Sequence, residues 1–69
     1  MDTKKVLNQV LAERGMKMPD LAEKLDVHTP NLRNKVSRDA YSFKDFEAMM
    51  DVLGCDIQVV TRDTHKVFY

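Results

Sequence analysis

Two glycines and two prolines are all that this 69-residue chain contains, and their positions constrain the fold more than any other feature. Gly15 and Gly54 each follow an apolar stripe at helical spacing, where a helix end often adopts the left-handed conformation that glycine accepts. Pro19 and Pro30 each precede a shorter stripe; their fixed φ suits a first helical turn, and their missing N–H has no partner to lose there. The spacing predicts a first helix from an N-cap at Thr3 to about Arg14, with Val6, Leu7, Val10 and Leu11 on one face. A second runs from about Pro19 to Leu25, burying Leu21, Ala22 and Leu25. Asp26 and Val27 follow directly. Thr29, as a capping hydroxyl, and Pro30 open a third helix to about Ser37, with Leu32 and Val36 facing inward. Ser42 and Asp45 have the spacing of a capping box and open a fourth, whose core stripe is Phe43, Phe46, Met50 and Leu53.

Beyond Gly54 the period changes. Ile57, Val59 and Thr61 alternate with Gln58, Val60 and Arg62, and β-branched residues dominate. Asp63-Thr64-His65 reads as a turn and Lys66–Tyr69 as a second strand. The expected architecture is one mainly α domain: a four-helix core over residues 3–54 and a C-terminal β-hairpin over 55–69. Apolar side chains fall on both faces of that hairpin: Ile57 and Val59 against Val60, and Val67 and Tyr69 against Phe68. A symmetric partner could cover the surplus face or the open strand edge, so the tail is the expected dimerisation element.

Composition excludes several classes. Eleven basic and eleven acidic side chains cancel, so no overall field favours nucleic acid or membrane. Apolar runs such as Val10-Leu11-Ala12 stop at three residues, against roughly 20 for a spanning helix, and the N-terminal segment lacks the apolar core of a secretion signal. The single cysteine, Cys55, cannot form an internal disulfide, and with two histidines it cannot form a conventional structural zinc site. These features predict a cytoplasmic protein without metal or cofactor. There is no glycine-rich phosphate loop and no nucleophile placed near a histidine, so an enzyme is not expected.

Charge is unevenly placed. Residues 28–38 carry Arg33, Lys35 and Arg38 with no acid, a net of +3, whereas residues 39–63 carry six acids against Lys44 and Arg62, a net of −4. The third helix buries two residues and is otherwise polar: Asn31, Arg33, Asn34, Lys35 and Ser37. Such a helix builds little core but projects side chains well. It fits the major groove of B-DNA, where arginine pairs with guanine and asparagine with adenine. Lys35 and Arg38 suit phosphates, which set register. The same polar face is also compatible with ordinary solvation.

The segment Gly15–Val27, with its Leu21-Ala22 pair, Leu25 and Val27, resembles the helix-turn-helix of the Cro/phage-repressor type, the XRE family. Ser42 at the start of the fourth helix and Leu53-Gly54 at its end extend the likeness over roughly residues 3–54. The resemblance implies a lambda-repressor-like fold that binds double-stranded DNA as a homodimer. It implies base contacts from Thr29, Asn31, Arg33 and Asn34, and phosphate contacts from Lys17, Lys35, Arg38, Ser42 and Lys44. Two departures stand out. Asp26 replaces the turn glycine, and Lys35 occupies an apolar site of the pattern while Val36 is apolar one place later. With Pro30, this implies a third helix shifted or rotated by about one residue.

Other residues have blander readings. Lys17 and Lys44 are equally compatible with solvated surface, and His28 with helix capping or simple exposure. Cys55 reads as a half-buried strand-entry residue, and Met16, Met18, Met49 and Met50 as core and surface filler. Tyr41 either packs the loop before the fourth helix or reaches a phosphate. The sequence thus predicts a transcriptional repressor of phage, plasmid or bacterial-chromosome type that occludes a symmetric operator, with no small-molecule ligand evident. The rival is a protein-interaction module, an antitoxin or adaptor built on the same scaffold, which the neutral net charge favours.

Overall fold

The structure, a computed structural model, describes residues 1–68. Helix α1 spans Thr3–Glu13, α2 Met18–Leu25, α3 Thr29–Ser37 and α4 Phe43–Val52, so the architecture is mainly α. The elements lie where the sequence periodicity places them, and the differences are at the caps. Asp2, not Thr3, caps α1: its carboxylate accepts the Lys5 N–H at 3.2 Å. Thr3 is the first helical residue, and its hydroxyl meets that of Tyr41 at 2.6 Å, which fixes Tyr41 as a packing residue of the loop before α4. α2 starts one residue before Pro19, and the Asp20 carboxylate accepts the Lys17 N–H at 2.8 Å. In α3 the cap is His28, which makes no side-chain capping bond, and Thr29 lies inside the helix rather than at its cap. Ser42 and Asp45 do form the expected box: Asp45 N–H donates to the Ser42 hydroxyl at 3.2 Å, and Ser42 N–H to the Asp45 carboxylate at 3.0 Å.

All four helices bury a stripe in one core: Leu7 and Leu11 from α1, Leu21 and Ala22 from α2, Leu32 and Val36 from α3, and Phe46, Met49 and Met50 from α4, joined by Leu53. α2 packs against both α3 and α4, and Ala22, fully enclosed, has a small side chain that allows the close approach. Buried polar or charged residues are absent among the described residues, so burial of apolar surface is the main stabilising term. Phe43 corrects the sequence reading: placed there in the core stripe, it is 62% exposed. It is the first residue of α4, and helical side chains lean toward the N-terminus, which carries the ring past the end of the core.

The four helices end alike. Gly15, Asp26, Asp39 and Gly54 each take a left-handed backbone, with φ of +64°, +55°, +52° and +75°. In each case the following N–H returns five residues to a helix carbonyl: Met16 to Leu11, Val27 to Ala22, Ala40 to Lys35 and Cys55 to Met50. This is the Schellman arrangement, which satisfies carbonyls the helix itself leaves free. The outer helices end on glycine and the inner two on aspartate, so α3 lies between two left-handed aspartates. Arg14 donates to the Gly54 carbonyl at 3.3 Å, which with Thr3–Tyr41 pins both ends of α1 to the flanks of α4.

After Gly54, Cys55 and Ile57 pack partly against the core. The expected β-hairpin is not formed: no strand occurs among the described residues, only one antiparallel bridge between Val60 and Val67. It is framed by Thr61 N–H to Lys66 C=O at 3.0 Å and Phe68 N–H to Val59 C=O at 2.9 Å. A two-rung ladder with nothing lying on it is marginal in water, and Ile57 has left the alternation to join the core. Bonds on either side of the Val60–Val67 pair make it the non-hydrogen-bonded kind, so the amides of these two residues point outward to the ladder's edges. Tyr69, assigned by sequence to the second strand, lies outside the described residues. The molecule measures 42 × 23 × 18 Å with a radius of gyration of 13.1 Å, against about 11 Å for a compact chain of this length. The excess matches a tail that stands off the body. No helix among the described residues is long and apolar enough to cross a membrane.

Candidate nucleic-acid interface

Leu32 and Val36 anchor α3 in the core, which determines where its other side chains project. At about 100° per residue, Asn34 lies opposite the buried stripe and points straight out. Thr29 and Arg33 lie on one shoulder, Asn31 and Lys35 on the other, and Arg38 follows at the end of the outward face. All are exposed except Thr29, which is half-buried. The structure thus brings Asn31, Asn34, Lys35 and Arg38 onto one continuous strip, and sets Thr29 and Arg33 apart along the opposite edge. Asp26, in the three-residue turn between α2 and α3, is left-handed, a conformation that glycine adopts at less cost.

The remaining cationic candidates are more scattered. Lys17 stands exposed at the cap of α2, and Lys44 exposed in the first turn of α4. Ser42 is committed to the Asp45 capping box. The Asp45 carboxyl lies below the ordinary carboxylate range, held there first by the Ser42 backbone N–H, then by the Ser42 hydroxyl, with Lys35 adding charge attraction. The positive end of α4 therefore already holds an anion, which leaves Lys44 the stronger phosphate candidate of the pair.

The described apolar residues of the expected dimerisation tail also divide. Val59, Val60, Val67 and Phe68 cluster on the tail and are between 43% and 64% exposed, with the Lys66 ammonium 5.3 Å from the centre of the Phe68 ring. Ile57 is separated from them and packs on the core. No group of three or more metal-ligating side chains is placed to hold an ion among the described residues.

One feature escaped the sequence. A groove of about 470 Å³ opens between α3 and α4, floored by Leu25, Leu32 and Met49 and rimmed by Asn34, Lys35 and Arg38. The signal for it was faint: Ala40 and Ala48, both in its lining, are small residues where larger ones would have closed the gap.

These elements define a small helical domain with one acid-free polar helix displayed on its surface. The chain belongs to the DUF6471 family, described as a domain of unknown function, whose family model matches residues 2–57. The matched region is the helical body through Ile57, the last tail residue packed on the core. No curated protein and no solved structure matches the chain.

Proposed function

We propose that this protein is a sequence-specific duplex-DNA-binding regulator, a repressor with a lambda-repressor-like helix-turn-helix resembling the Cro/phage-repressor type, acting as a homodimer in the cytoplasm. One observation carries the reading: α3 turns Asn31, Arg33, Asn34, Lys35 and Arg38 outward with no acid among them, on a helix short enough to enter a major groove. Asn34 and Arg33 are the leading base readers, with Asn31 and Thr29 beside them; Lys35, Arg38, Lys17 and Lys44 face phosphates, while the Ser42 hydroxyl stays in its capping box. The tail supplies the dimer contact. A second copy pairing on the outward amides of Val60 or Val67 would extend the two-rung ladder into an intermolecular sheet and cover Val59, Val60, Val67 and Phe68. Repression follows by occlusion of a two-fold symmetric site, and no catalytic step is involved.

A second reading, a protein-interaction module of antitoxin or adaptor type, draws on the same exposed apolar tail and on the neutral net charge. Salt dependence separates the two. If each half of the dimer touches three or four phosphates, log affinity for the preferred duplex falls with log salt at a slope of roughly −5 to −7. Arg33→Ala and Asn34→Ala each cost about 1–3 kcal/mol on that site and relax one base position, whereas Lys35→Ala weakens all sequences alike. A slope between zero and about −2, unchanged by these substitutions, would overturn the DNA reading in favour of the module.

A further inference from the structure

The groove between α3 and α4 has a physical cause. Leu25, Leu32 and Met49 form its floor, but the positions that would roof them are Ala40 and Ala48, too small to reach across, and Lys35, whose charge turns toward water. Val27 contributes to one wall and is left 46% exposed. Its volume of about 470 Å³ falls within the ~300–1,000 Å³ typical of small-molecule sites, which combine apolar walls with a few polar groups at the mouth. The mouth here is asymmetric in charge. Lys35 and Arg38 face one carboxylate, Asp45, a net of one positive charge, and Asn31 and Asn34 add neutral amides. The Asp45 carboxylate already accepts the Ser42 N–H in its capping box, while the Asp45 N–H donates to the Ser42 hydroxyl, so this one carboxylate is not free to neutralise both cations.

We propose that this groove binds a small amphiphilic monoanion, an aromatic or short-acyl carboxylate whose apolar body lies on Leu32, Met49 and Val27 while its carboxylate meets Lys35 and Arg38. Charge complementarity selects the anion and the apolar floor selects its body. A bare inorganic anion would leave the floor wet, and a neutral hydrocarbon would leave the two cations without a partner. Only one consequence rests on the duplex-binding reading: an occupant would compete with DNA phosphates for Lys35 and Arg38.

The direct test omits DNA, so it can fail independently of that reading. Naphthoate is titrated into the full-length protein while backbone amide and methyl signals are followed by NMR, with the uncharged naphthyl alcohol as comparator. Saturable shifts are expected at Val27, Leu32, Ala48 and Met49, with naphthoate favoured over the alcohol. Ala48→Phe, on the exposed side of α4, fills the groove and should weaken naphthoate at least about tenfold. Joint Lys35→Ser and Arg38→Ser should weaken naphthoate by about the same factor and leave the alcohol unchanged. Shifts confined to Val60, Val67 and Phe68, or undiminished binding by Ala48→Phe, would overturn the site. Equal affinity for naphthoate and the alcohol would overturn its anion selectivity.

Discussion

The helical body and the tail both carry apolar side chains, and they dispose of them in opposite ways. In the body, Leu7, Leu21 and their neighbours are sealed from water by side chains brought from all four helices. In the tail, Val59, Val60, Val67 and Phe68 have no comparable cover, and one antiparallel bridge is the whole of their secondary structure. The contrast teaches that a periodic pattern specifies structure only when a surface is available to receive its apolar face. The helices receive one another. The tail's alternation has a sheet period but no layer beneath it, so it stops after two rungs.

The strongest way to sharpen this contrast is to remove one large apolar side chain from each region. Leu21→Ala opens a cavity in a fully buried site and should cost about 2–5 kcal/mol, read by chemical denaturation followed by circular dichroism. Phe68→Ser, at dilutions where the chain is monomeric, should change unfolding free energy by less than about 0.5 kcal/mol. A comparable loss from both would show that the tail is part of the body after all.

A smaller effect is expected at the cap of α4. Ser42→Ala removes the hydroxyl that accepts the Asp45 N–H and should cost about 1 kcal/mol. The reciprocal half of the box is sensitive to acid. Because the Asp45 carboxyl is held below its ordinary range by the Ser42 N–H and hydroxyl, its contribution is fully present above the unfolded value, near about pH 4. That contribution is lost as pH falls through the lower folded value. Thermal unfolding of Asp45→Asn against the parent should therefore show a gap at neutral pH that narrows in acid. A constant gap would mean the charge contributes nothing.

The smallest expected effect is stabilising. Asp26 occupies a left-handed position at φ +55°, where a Cβ is unfavourable. Asp26→Gly should raise stability by up to about 1 kcal/mol, the relief being partly offset by glycine's greater freedom when unfolded. Differential scanning calorimetry would read it as a modest rise in Tm; a fall would mean the Asp26 side chain stabilises the turn.

How much of this was legible in the sequence follows from how local each signal is. The four helices were readable because periodicity and punctuation lie within a few residues of each end, and the Ser42–Asp45 box is a four-residue pattern. Asp26 as the left-handed turn residue came only from the helix-turn-helix resemblance, since nothing in the periodicity around it marks the position. Phe43 was not, because its spacing fits the stripe and only its place at the helix start carries it past the core. The short ladder was not, because strand length depends on what lies across the sheet. In the candidate interface, the composition of the polar strip was legible, but its division between two shoulders was not. That division depends on which side chains anchor α3, and the groove beside it depends on the spacing of two helices set by contacts elsewhere.

The two left-handed aspartates have one more consequence, and it concerns motion. α3 has no side-chain bond at its N-terminal cap and buries only Leu32 and Val36, and the turns at both its ends carry backbone strain that glycine would relieve. Its local opening should therefore require less free energy than that of α4, which has a complete capping box and a glycine exit. Amide hydrogens of Leu32–Ser37 should exchange with solvent sooner than those of Phe46–Val52, through sub-global fluctuations that leave the rest of the core closed. A surface helix that frays in this way can adjust its pitch and side-chain directions as it docks. Part of its binding free energy then goes to holding it still.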